Sequence, residues 1–164
     1  MNDTNSPPWD ADDVGDLKAM YPKLRSYAAV IARGDMEPDD LVQEAMTRWL
    51  LVEDRSAVDA PIAYLRRSML NLVITSGRRN ARWQDLAPRA LTETTVTDRY
   101  PSDLEELKDL RPEVRALLYA HVIDGATIKE AAVELGMTDV AARVAVHRAK
   151  KFLRAQYEGA QTND

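Results

Sequence analysis

A chain of 164 residues without cysteine, 45% hydrophobic and with a net charge of -5, can form one domain or two small ones and has no thiol for a disulfide or a thiolate metal site. The first residues are polar and acidic, unlike a secretory leader, and no apolar run approaches the ~20 residues of a membrane-spanning helix, so a cytoplasmic protein without membrane insertion is expected. The net charge argues against a general polyanion binder, but two stretches hold no acid at all. From Ala60 to Gln84 the charges are Arg66, Arg67, Arg78, Arg79 and Arg82; from Val140 to Tyr157 they are Arg143, Arg148, Lys150, Lys151 and Arg154. Local basic stripes, rather than net charge, set contact with phosphates.

Residues 1–12 read as a flexible tail. A first helix is predicted from about Val14 to Arg33, with Leu17, Tyr21, Leu24, Ala28 and Ile31 at helical spacing, a kink at Pro22 and a stop at Gly34. Pro38 suits the first position of a second helix reaching about Val52, with Asp39 and Asp40 favourable in its first turn. Leu41, Ala45, Trp49 and Val52 make its core face, and Asp40, Gln43, Glu44 and Thr47 line another that suits an arginine-rich partner or simply serves solubility. Pro61 opens a third helix ending near Gly77 or Arg79. Ile62, Leu65, Met69, Leu72 and Val73 are its core residues; Tyr64, Arg67, Asn71, Thr75 and Arg78 form a second stripe. An aromatic, basic and amide stripe can stack an unpaired base and hold phosphates, or it can be an ordinary polar face.

Between Asn80 and Pro101 the helical period is lost, and the stretch reads as a linker. Ser102 to Glu105 then carries a capping-box pattern, Pro112 starts a helix that Gly125 ends, and Thr127 with Glu130 caps a two-turn helix to Leu135. Gly136 allows a tight turn and Thr138 caps the last helix, to about Tyr157. On that helix Ala142, Ala145, Val146, Ala149 and Leu153 share one face, with Arg143, His147, Lys150, Lys151 and Arg154 opposite. A short capped helix, a glycine turn and a long basic helix are the layout of a DNA-reading helix-turn-helix. Neither His121 nor His147 has a partner at metal-ligand spacing, and there is no phosphate loop or nucleophile elbow; no enzyme and no cofactor are expected.

These blocks resemble a known family. DDLVQEA (Asp39 to Ala45) looks like the core-polymerase-binding helix of bacterial sigma factors of the extracytoplasmic-function (ECF) group, and PIAYLRRSMLNLVITSGRR (Pro61 to Arg79) looks like their minus-ten helix. LRPEVRALLYAHVIDGATIKEAAVELGMT (Leu110 to Thr138) with VHRAKKFL (Val146 to Leu153) is similar to their region four, the minus-thirty-five reader. The resemblance implies an all-α chain of two small helical domains joined by a linker: a tail over 1–12, a region 2-like bundle over 13–80, a linker over 81–101, a region 4-like helix-turn-helix over 102–157 and a tail over 158–164.

It also implies roles. Asp40, Leu41, Gln43, Glu44 and Thr47 would bind polymerase. Glu53, Asp54, Arg55 and Ser56, in the loop to Asp59, with Tyr64, Arg67, Asn71, Arg78 and Arg79, would hold minus-ten DNA. Thr138, Asp139, Arg143, Val144, His147, Arg148 and Lys151 would hold minus-thirty-five DNA. The partners implied are core RNA polymerase, promoter DNA and an anti-sigma factor. The family's usual Gly-Thr-Val at the recognition-helix start is Val140-Ala141-Ala142 here, a basic residue common further on is Ala145, and an Asp common after the Asn is Thr75. Fewer polar groups at the groove entry imply a weak or unusual minus-thirty-five preference. They leave room for a sigma-like adaptor or decoy that binds polymerase or a regulator without opening promoters.

Overall fold

The computed structural model describes residues 11–34, 36–86 and 106–161, with side chains over 15–34, 36–82 and 106–159. Among these residues there are helices and turns and no strands. The first three helices are α1 (Ala11–Ile31), α2 (Pro38–Leu50) and α3 (Pro61–Leu86), with a 3₁₀ turn at Arg55–Ala57 between the last two. After residue 106 come α4 (Pro112–Leu118), which widens into a π turn over Tyr119–Ile123, then α5 (Ile128–Leu135) and α6 (Asp139–Gln161).

The apolar spacing explains the first body. Leu17, Leu24, Ala28 and Ile31 of α1 are buried, as are Leu41, Val42, Ala45 and Trp49 of α2 and Leu65, Met69, Leu70 and Val73 of α3. Each helix turns its apolar side to the other two. Burying a leucine fully is worth ~1.5–3 kcal/mol, so these side chains dominate the stability of the bundle. Pro22 does not break α1, which the structure assigns as one continuous helix. Pro38 and the two aspartates sit in the first turn of α2 as expected, and Leu51 and Val52 close its last turn on the carbonyls of Arg48 and Trp49.

Two helix ends differ from the sequence reading. α3 does not stop at Gly77 or Arg79 but continues to Leu86, so it enters the stretch read as linker. Gly77 is tolerated inside it because Arg33 lies across that point: a Cβ there would come within 2.7 Å of Nη1. The remainder of the expected linker, 87–101, and the capping box at 102–105 lie outside the described residues. α6 likewise runs to Gln161, beyond the expected end at Tyr157.

In the second body, Val114, Leu117 and Leu118 of α4, Ala131, Ala132 and Leu135 of α5, and Ala142, Val146 and Ala149 of α6 are buried together. The helix from Pro112 was expected to run intact to Gly125. Instead its last turn opens into π geometry, with the Asp124 amide donating to the Tyr119 carbonyl at 3.3 Å. Gly125, at φ 72°, then reverses the chain, and the Ala126 amide closes on the Ala120 carbonyl at 3.0 Å. His121 secures the reversal, its Nδ1 donating to the Ala126 carbonyl at 2.8 Å.

Thr127 and Glu130 form the reciprocal cap that their spacing predicts: the Glu130 amide donates to Thr127 Oγ1 at 3.2 Å and the Thr127 amide to Glu130 Oε2 at 2.8 Å. Gly136 ends α5 with a left-handed φ of 69°. An L side chain there costs ~1–2 kcal/mol, so Gly136→Ala should lower unfolding stability by at least about that amount, because its Cβ would also displace the Arg67 guanidinium. Chemical denaturation would show it; an unchanged midpoint would mean that the turn does not need the left-handed conformation.

The two bodies lie against each other. α4 lies against α1 and α3, and α5 lies against α3. The Tyr27 and Tyr119 rings meet edge to face at 5.3 Å across this seam. Arg66, 6% exposed, stands beside them, its guanidinium 5.3 Å and 5.2 Å from the two ring centres. Its Nη1 donates to Asp124 at 2.6 Å and to Glu134 at 3.4 Å. Burial opposes its charge, but the two carboxylates outweigh that cost and hold its pKa above the ordinary arginine value. A second buried arginine, Arg115, crosses in the other direction and donates from Nη1 to the Ala32 carbonyl at 3.1 Å.

Candidate nucleic-acid interface

The outer side of α2 carries Asp40, Gln43, Glu44 and Thr47, all exposed. Thr47 donates its hydroxyl to the Gln43 carbonyl at 2.8 Å, and Glu44 pairs with Arg48 at 2.8 Å. Leu41 is buried, as its place on the core face of α2 predicts, and supports the helix from beneath. It also lines a groove of about 470 Å³ between α2 and α3, with Asp40, Glu44, Leu72, Thr75 and Arg79. The neighbouring Asp39 is not part of this face. It accepts a very short hydrogen bond from the Tyr21 hydroxyl and one from Arg25 Nε at 2.9 Å, which join α2 to α1.

The hydrogen bonds from Tyr21 and Arg25 hold the Asp39 carboxyl below its ordinary value of 3.8. A depressed carboxylate adds stability above its unfolded pKa and loses it as pH falls through the folded one. Acid titration of stability should therefore show a loss below about pH 4 that Asp39→Asn makes smaller. An identical acid limb in the variant would exclude Asp39 as its source.

In the loop after α2, Asp54 accepts from the Ser56 hydroxyl at 2.5 Å, which lowers its pKa. Glu53, Asp54 and Ser56 are exposed. Arg55 is turned inward: its Nη1 donates to the Leu50 carbonyl at 3.1 Å and the Val52 carbonyl at 3.4 Å. It satisfies carbonyls that the end of α2 leaves open, so it braces the loop instead of projecting from it.

The stripe on α3 is at the surface as its spacing requires, with Tyr64, Arg67, Asn71, Thr75, Arg78 and Arg79 all exposed. Tyr64 is anchored on its inner side by Trp49, ring centres 5.3 Å apart, while the residue stays exposed. An aromatic ring fixed in this way can stack a base with little loss of side-chain freedom. Arg67 reaches over the turn of the second body: a Cβ on Gly136 would collide with its guanidinium.

On α6 the two faces separate cleanly. Ala142, Val146 and Ala149 are buried; Arg143, Val144, His147, Arg148, Lys150, Lys151 and Arg154 are exposed. Thr138 caps the helix, its hydroxyl accepting from the Ala141 amide at 3.2 Å. Asp139 and Arg143 pair at 3.0 Å along the first turn. Val140, an apolar residue in the first turn of the helix, is 72% exposed.

The sequence reading missed the seam residues Arg66 and Arg115. Both signals were present. Arg66 falls four residues after Ile62 and three before Met69, on the apolar side of α3, and Arg115 lies between Val114 and Leu118. An arginine on a core stripe has to find acceptors inside the protein, and here they come from the other body.

The fold and these faces are those of an all-helical protein in two parts, each with a charged outer surface. A sequence profile of sigma-70 region 2 matches residues 17–83, and a profile of sigma-70 region 4 matches residues 104–153. The chain belongs to the sigma-70 family and, with this pairing of regions, to its ECF group. No curated protein sequence matches it. Its role is accordingly in promoter recognition, with core RNA polymerase and promoter DNA as the partners that these two regions imply. Among the described residues no helix is long and apolar enough to cross a membrane.

Proposed function

We propose that this sigma factor grips core polymerase in the cytoplasm through the outer face of α2, with Asp40, Gln43, Glu44 and Thr47 as contacts and Leu41 as their support. Glu53, Asp54 and Ser56, in the loop braced by Arg55, together with Tyr64, Arg67, Asn71, Arg78 and Arg79 trap the unpaired minus-ten strand. Arg143, Val144, His147, Arg148 and Lys151, on the helix started by Thr138 and Asp139, read the minus-thirty-five groove. Binding energy opens the duplex, because a base stacked on Tyr64 is stabilised only once it has left its partner. An anti-sigma factor would act by covering the α2 face or the α6 face.

The observation that supports this most is that the acidic face of α2, the Tyr64 stripe and the basic face of α6 all lie at the surface while their opposite sides build the core. Because Arg67 lies against Gly136, full use of the minus-ten stripe also requires the two bodies to part. Asp40→Ala combined with Gln43→Ala should weaken core-polymerase binding at least tenfold and leave the fold intact, since both side chains are exposed. Unchanged polymerase affinity would reassign that helix.

A second reading has one observation in its favour. With Val140 and Ala141 exposed at the start of α6 and Arg143 paired to Asp139, few free donors face a groove there. Such a chain could occupy polymerase as a decoy. Run-off transcription with reconstituted enzyme separates the two, because a decoy binds core enzyme and gives no transcript from any promoter fragment.

A further inference from the structure

The outermost line of α6 changes character along its length. At about 3.6 residues per turn, Val140, Val144, His147 and Lys151 fall within about 60° of one another around the helix axis. They lie opposite the buried Ala142, Val146 and Ala149. Val140 is 72% exposed and Val144 43%. His147 and Lys151 are exposed as well. The half of the line nearest the Gly136 turn is thus apolar and the other half polar, and neither valine belongs to the hydrophobic core.

A recognition helix meets base edges with its N-terminal residues. Here that end presents two isopropyl groups. Arg143 does not stand in for a donor on this line, because its Nε donates to Asp139 at 3.0 Å and the guanidinium is held beside the first turn. In the major groove the apolar group on a base edge is the C5 methyl of thymine. One turn, about 6 Å along the axis, separates the two valines, which is between one and two base-pair steps. A partner helix in a protein complex would need an apolar line over several turns. This one ends after two residues and is bordered by Arg143, Arg148, Lys150 and Lys151, all exposed. Methyls on the floor of a groove with phosphates along its walls match that order.

We propose that Val140 and Val144 are specificity-determining residues that read the C5 methyl groups of two thymines, no more than two base pairs apart, in the minus-thirty-five element. This choice of bases rests on α6 being the helix that enters that groove. The scarcity of donors at the start of α6 then sets a preference for A·T pairs, with apolar contact replacing hydrogen bonds to guanine.

The test is fluorescence anisotropy of the full chain with four short duplexes at fixed salt. One alternates A and T, and a second carries uracil for every thymine. A third alternates G and C, and a fourth carries 5-methylcytosine for every cytosine. Uracil removes the C5 methyl without altering base pairing, and 5-methylcytosine adds it. Burial of one methyl is worth about fourfold in affinity, so the thymine duplex should bind about tenfold tighter than the uracil duplex. Methylation of the G·C duplex should raise affinity in the same way. In Val140→Ser/Val144→Ser both differences should fall below about twofold. Both positions are exposed, so this variant should fold, and the comparison of duplexes in the parent chain stands without it. Equal binding of the thymine and uracil duplexes, with affinity still reduced by Arg148→Ala/Lys151→Ala, would overturn the role of the valines and leave α6 as a DNA helix. A thymine preference that survives both serines, or that 5-methylcytosine does not reproduce, would also overturn it, by assigning the preference to other residues or to duplex shape. No duplex binding, or binding indifferent to loss of Arg148 and Lys151, would overturn the placement of α6 in a groove together with this role, and would leave the valines as a protein contact.

Discussion

Arg66→Met should lower the unfolding free energy by about 2–3 kcal/mol, one of the largest losses from a single change at the seam. Removing one partner of a fully buried ion pair costs ~3–5 kcal/mol, because a charge is left without compensation. The figure here is smaller because the Asp124 side chain remains 34% exposed and water can reach it. Methionine keeps much of the volume between Tyr27 and Tyr119, so the loss reports charge more than cavity. Adding Asp124→Asn and Glu134→Gln to Arg66→Met should then recover much of the stability, since the stranded charges are gone.

The same substitution should also loosen the two bodies. The chain has no cysteine, so the exposed Lys18 and Lys129 can be replaced by cysteine and labelled without background. Energy transfer between the labels should fall in Arg66→Met relative to the parent. It should fall further when core polymerase is added to the parent itself, if reading both promoter elements parts the seam. A stable variant with unchanged transfer would show that the Arg66 cluster contributes nothing to holding the bodies together.

Duplex binding should divide the basic residues of α6 into two groups. Each phosphate contact contributes about 0.9 to the slope of log affinity against log salt. Lys151→Ala and Arg148→Ala should each reduce that slope by about one, and together weaken binding several-fold at low salt. Arg143→Ala should do less, because Arg143 is already paired with Asp139 and exchanging that contact for a phosphate gains less than engaging a free cation. Fluorescence anisotropy across a salt series measures all three. Binding that is insensitive to salt would remove the basic face of α6 from the DNA contact altogether.

The two families of residues in these predictions were not equally legible beforehand. The faces of α6 follow from a 3.6-residue period, and the chain obeys it: Ala142, Val146 and Ala149 are inside, while Arg143, His147 and Lys151 are outside. The Thr127 cap, the Gly136 turn and the Thr138 cap were equally readable, since each rests on local chemistry that needs no distant partner. The end of α3 was not, because Gly77 looks like a terminator until Arg33, from another helix, is seen lying across it. Nor was the place of Arg55, to which the resemblance gives a DNA-holding role and which the packing draws back to carbonyls at the end of α2.

From the sequence alone came the helices, their faces, the turns between them and the resemblance carried by their order, because periodicity, caps and turn residues act over a few neighbouring positions. The tertiary structure alone decided how the two bodies meet. The partners of Arg66 lie 58 and 68 residues away in the chain, and that of Arg115 lies 83 away. No local pattern specifies such pairs. They form because a charge on an apolar face has to be compensated wherever folding brings a carboxylate or a carbonyl within reach.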